Sequence, residues 1–78
     1  MKRLPSVLIV DDERPTREGL ARALSGDYRV RLAESGEQAL ALLADEPADV
    51  VLTDLRMPGM DGMTLLRRIL ARQPQPVV

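Results

Sequence analysis

A chain of 78 residues holds one domain at most, and at that length only roughly 60% of the unfolded surface is buried on folding. Lys+Arg number 11 against 12 Asp+Glu, a net charge of −1, and Tyr28 is the sole aromatic residue, so neither the charge nor the stacking surface of a nucleic-acid binder is present. Without cysteine or histidine the chain has no disulfide, no thiolate or imidazole metal site and no histidine base, and any metal must be a hard cation held by oxygen.

The basic start, Met1 to Arg3, resembles that of a secretory leader. The apolar run Val7–Val10 is too short for one and ends in Asp11, Asp12 and Glu13, so a cytoplasmic protein without a membrane role is expected. Ser6–Val10 is a continuous aliphatic run and reads as a strand covered on both faces. Pro15 suits the first turn of a helix that follows, with Leu20, Ala23 and Leu24 as its buried stripe and Gly26 at its end. Gly19 in its middle costs about 1 kcal/mol relative to alanine, a cost that close packing on a sheet would explain.

Tyr28, Val30 and Leu32 alternate with Arg29 and Arg31, the period of a strand with one face less covered. Ser35 and Gln38 form a capping box that opens a second helix, with Gly36, Ala39, Leu40 and Leu43 inward. After the break at Asp45, Glu46 and Pro47, residues Asp49–Thr53 read as a second doubly covered strand, ending at Asp54. A loop carrying Pro58, Gly59 and Gly62 leads to a third helix capped by Asp61, with Leu65, Leu66, Ile69 and Leu70 inward and Arg67, Arg68 and Arg72 outside. Pro74 and Pro76 stop it, and Val77 and Val78 begin a fourth strand. The order βαβαβα plus a stub argues for a parallel sheet with helices on its faces.

In such a sheet ligands bind beyond the carboxyl ends of the strands, and here two strands end in acids. If those strands are neighbours, Asp11, Asp12 and Asp54 meet at one rim. Like charges brought together repel unless a cation neutralises them, and an all-oxygen set suits Mg²⁺. Each feature taken singly has a plainer reading: an acid pair after a strand is commonly a helix cap, and an aspartate closing a strand is commonly loop punctuation. There is no phosphate-binding glycine loop of a nucleoside triphosphatase and no dinucleotide fingerprint.

The combination is more specific. Val7 to Val10 with Asp11, Asp12 and Glu13, and later Thr53, Asp54, Leu55, Arg56, Met57, Pro58, Gly59, Met60, Asp61 and Gly62, closely resemble the response-regulator receiver domains of two-component signalling, over essentially the whole chain. The resemblance implies a flavodoxin-like sheet with strand order 2-1-3, residues 1–78 forming a partial receiver. It implies that Asp54 accepts a phosphoryl group from a histidine kinase or phosphotransfer protein. Mg²⁺ would be held by Asp12 directly, Asp11 through water, Asp54, and the backbone carbonyl of Arg56. Such a module is no enzyme beyond its own phosphorylation and dephosphorylation. A haloacid-dehalogenase-like phosphatase fits less well, because it wants an aspartate where Arg56 stands.

The sequence departs from the family in stopping before a fourth strand that ends in threonine or serine and a fifth that ends in lysine. Lys2 precedes the first strand, Thr53 lies within the third and Thr64 in the third helix, so none replaces them. An open third-strand side is then expected to drive homo-oligomer formation through the sheet edge. The alternative reading is a phosphorylation-independent dimerisation or assembly module; a piece cut from a longer regulator is a third.

Overall fold

The computed structural model describes residues 3–71, so Lys2, Arg72, Pro74, Pro76 and the expected stub Val77 and Val78 lie outside the described residues. Three strands, β1 (Ser6–Val10), β2 (Arg29–Ala33) and β3 (Val50–Thr53), alternate with α1 (Arg14–Leu24), α2 (Gly36–Asp45) and α3 (Gly62–Leu70). The sheet is parallel, in the order β2-β1-β3, as expected for a flavodoxin-like receiver. Every residue of β1 is buried, because among the described residues it alone has a strand on either side, with helices over both faces.

Strand register sorts side chains onto two unlike faces. Leu8 and Val10 of β1, with Ala33 and Val51 beside them, pack with Ala39, Leu65 and Ile69 of α2 and α3 into the core. Leu65 is wholly buried, a burial that contributes roughly 1.5–3 kcal/mol. On the opposite face lie two apolar rows, Val30–Val7–Val50 and Leu32–Ile9–Leu52. Val7 and Ile9 are buried there, but Leu32 is 37% and Leu52 40% exposed. The expectation that β3 is doubly covered is therefore corrected: among the described residues, α1 packs on β1 and β2 and leaves the β3 side of this face open.

The same open side explains α1. Its expected stripe of Leu20, Ala23 and Leu24 is not buried, since Ala23 is exposed, Leu24 only half-buried and Leu20 38% exposed. Its end is a turn in which the N–H groups of Asp27 and Tyr28 both donate to the Leu24 carbonyl, and Gly26 does not supply a left-handed cap. A Cβ on Gly19 would meet nothing within 4 Å, so close packing does not account for that glycine.

Helix α2 begins as read: Ser35 Oγ accepts from Gln38 N–H at 3.1 Å. The returning bond differs from a standard box, because Gln38 Oε1 accepts from Glu34 N–H rather than from Ser35. Its far end is closed by Arg31 of β2, whose guanidinium donates to the carbonyls of Leu42, Glu46 and Pro47. Here a cation from a neighbouring strand meets the negative end of a helix that has no basic residue in its own last turn. In α3, Leu65 and Ile69 are buried and Leu66 half-buried, whereas Leu70 is 46% exposed, so the expected inner stripe is one residue too wide. Asp49 lies just before β3, and its carboxylate accepts from Ser6 N–H at 2.7 Å, tying the beginnings of two strands together. Among the described residues no helix is long and apolar enough to cross a membrane.

Candidate functional site

The parallel ladders continue one step past the ends of β1 and β3. Asp11 N–H donates to the Ala33 carbonyl at 3.1 Å and Asp54 N–H to the Val10 carbonyl at 3.0 Å. Both aspartates are thus fixed by sheet bonding at the carboxyl rim, and neighbouring strands bring them together. One carboxylate oxygen from each of Asp11, Asp12 and Asp54 lies within 4.8 Å of the others.

The three acids sit in different surroundings. Asp11 is 7% exposed, and its Oδ1 accepts from Glu13 N–H at 2.9 Å. Its carbonyl accepts from Arg17 of α1 at 2.8 Å, so the turn carrying the acid pair is held from the helix above it. Asp12 is exposed and Asp54 half-buried. Helix α1 is capped by Glu13 without a side-chain bond, so the plainer reading of Asp11 and Asp12 as helix caps is not realised. Asp54 Oδ1 accepts from Arg56 N–H at 3.2 Å, which orients the carboxylate toward the rim. The structure places Arg56 two residues beyond Asp54, at the start of the β3–α3 loop.

Asp61 is the cap of α3: its Oδ1 accepts from Thr64 N–H at 2.8 Å. That bond holds the Asp61 carboxyl below the ordinary carboxylate range. Gly62 is a site-building residue, although its place in the sequence signals only a loop. A Cβ there would fall on the Asp54 carbonyl oxygen and 2.9 Å from Leu55 Cα, while Gly62 N–H donates to the Leu55 carbonyl at 3.0 Å. Only glycine lets the start of α3 approach the backbone of Asp54 so closely. Met57, buried at the middle of the same loop, anchors it in the core, and Gly59 takes the left-handed turn at φ +76°. Beside the acids a cleft of about 470 Å³ runs between α1 and β3, past Thr16, Leu20 and Leu52.

The family model of the response regulator receiver domain matches residues 7–78. The chain belongs to the response regulator receiver family. This receiver is 40% identical over 72 residues to the hydrogenase transcriptional regulatory protein HoxA of Cupriavidus necator, covering 92% of this chain and 15% of that protein. It is 46% identical over 74 residues to the DNA-binding transcriptional regulator NtrC of Salmonella typhimurium, covering 92% of this chain and 16% of that one. Among solved structures it matches the N-terminal domain of a response regulator receiver protein from Methanoculleus marisnigri JR1 with a TM-score of 0.83 and 38% identity, covering 92% of this chain and 58% of that chain. The receiver therefore spans about a sixth of these curated relatives and well under two thirds of that solved domain. It is a signalling domain of the two-component kind, with the acidic rim in the place where its fold puts ligands.

Proposed function

We propose that this receiver takes a phosphoryl group on Asp54 from the phosphohistidine of a kinase or phosphotransfer protein. The observation that carries the proposal is the gathering of Asp11, Asp12 and Asp54 within 4.8 Å at the carboxyl rim. An Asp54 carboxylate oxygen attacks phosphorus in line, a P–O bond forms, and the P–N bond to the donor imidazole breaks as that ring leaves. The bond from Arg56 N–H holds the nucleophile in one orientation, so little reorganisation precedes the attack.

An all-oxygen donor set of this compactness fits a hard divalent cation. Mg²⁺ would be held by Asp12, by Asp54, by Asp11 through water and by the backbone carbonyl of Arg56. When bound, it supplies positive charge against the phosphoryl oxygens. The pinning of Asp11 by Glu13 N–H supports an orienting role for it, and the exposure of Asp12 supports direct ligation. The setting for this exchange is the cytoplasm.

Intact-protein mass after incubation with Mg²⁺ and acetyl phosphate tests the reading. A single phosphoryl adduct is expected, absent in Asp54→Asn and absent without Mg²⁺. No adduct on a folded sample would refute it.

A second reading, an assembly module that works without phosphate, is favoured by the half-open face of β3 at the sheet edge, where Leu52 is 40% exposed. In that reading a second copy covers this side.

A further inference from the structure

The β3–α3 loop carries the backbone next to Asp54, and a side chain from it is seated against a helix distant in sequence. Met60 is half-buried and packs against the core from the loop side. Opposite it stands Gly36, the buried first residue of α2. A Cβ on Gly36 would lie 2.8 Å from Met60 Sδ and 3.0 Å from Met60 Cγ and Cβ, closer than carbon and sulfur atoms pack without displacement. The neighbouring residue of the same helical turn reaches the same loop: a Cβ on Gly59 would come 3.5 Å from Glu37 Oε2.

The start of α2 has little freedom to yield, because Ser35 and Gln38 fix it through the cap. The loop is fixed at its two ends, by Asp54 on the sheet and by the Gly62 N–H bond to Leu55. An added methyl at position 36 is therefore accommodated by moving Met60: Sδ can turn away within the side chain, but the contact with Cβ at 3.0 Å passes a few tenths of an ångström to the loop backbone.

We infer that Gly36 is a positioning residue for the acid site: the space left by its missing side chain seats Met60 and thereby sets the pose of the loop that carries the Arg56 backbone. Its meaning for phosphoryl transfer rests on the function proposed above, whereas the mechanical coupling does not.

Amide hydrogen exchange, followed by NMR on the wild type, Gly36→Ala, Met60→Ala and the double variant, tests the coupling. Gly36→Ala is expected to speed exchange at the Arg56 and Gly62 amides on the order of tenfold while β1 amides keep their rates. In the Met60→Ala background the effect of Gly36→Ala should shrink, since two of the three close atoms are then gone. Unchanged loop amides, or equal acceleration of loop and β1, would overturn the inference. Mg²⁺ titration of the same samples should show binding weakened several-fold in Gly36→Ala and partly regained in the double variant. Wild-type affinity in Gly36→Ala would overturn the link to the acid site. If the wild type itself takes no Mg²⁺, the phosphoacceptor reading fails, and the exchange rates still decide whether Gly36 positions the loop.

Discussion

At the scale of single residues, carboxylates do three different jobs at the two ends of one small sheet. Asp11 and Asp54 are mounted on the sheet and turned to the rim, Asp49 ties two strand beginnings, and Asp61 caps a helix. The cap has a measurable pH signature. The carboxyl of Asp61 is held below its ordinary value by Thr64 N–H, so the folded state favours its ionised form. The stability this supplies is present above the ordinary carboxylate range and is lost as pH falls through the depressed folded value. Glu46, lowered by its hydrogen bond from Arg29, and Glu18, lowered by that from Arg14, add with the same sign. Asp61 is exposed and Glu18 and Glu46 are half-exposed at the surface, so the two ion pairs are screened by salt. Urea denaturation across the acid range should show a shallower decline for Asp61→Asn than for the wild type; superimposable pH profiles would contradict this.

At the scale of elements, α1 differs from the other two helices. It buries no residue fully and is held by Arg17 and by the partial cover it gives Val7 and Ile9. Its own helix-forming strength therefore matters more than it would for a helix locked into a core. Gly19 sits in its middle with open space where a Cβ would go. Gly19→Ala is expected to stabilise the protein by about 1 kcal/mol in urea denaturation, and a destabilised variant would show that the space is needed.

What could be read from the sequence follows the same division. The strands, the order of elements and the meeting of Asp11 with Asp54 were legible, because aliphatic runs and strand-end acids are local signals and parallel topology does the rest. The burial of Leu20, Leu52 and Leu70 was not, because it depends on what packs over a face and not on the period within it. Nor was the Arg31 closure of α2: the alternation in β2 shows that one face is less covered, but not that Arg31 lies on the core side, where it reaches the end of α2. The seat of Met60 on Gly36 joins segments far apart in the chain, and no local pattern announces such a contact.

At the scale of the whole molecule, the two faces of the sheet are unequally finished. The α2–α3 side is a continuous core, whereas on the other side Leu20, Leu32 and Leu52 all keep over a third of their surface in water. Strand β3 adjoins that open side and pairs with β1 along one edge among the described residues. Apolar surface beside a strand edge favours association with a second copy. Size-exclusion chromatography with light scattering is expected to give a dimer or larger species that Leu52→Lys shifts toward monomer. A wild-type chain that stays monomeric up to high concentration would sink the assembly reading and leave the phosphoacceptor reading untouched.

The seat of Met60 has a chemical side as well. Its thioether sulfur is the atom nearest to the space above Gly36, and thioethers take up oxygen from peroxide to become polar sulfoxides. An oxygen on that sulfur would compete for the same few ångströms as a methyl group on Gly36. Oxidation of Met60 would then reach the loop beside Asp54 without touching a carboxylate, and the loop amides of peroxide-treated Met63→Leu, which lacks the 46% exposed thioether at the start of α3, would exchange as those of Gly36→Ala do. These 78 residues, without a single cysteine, would in this way carry a redox-sensitive part, repairable by methionine sulfoxide reduction.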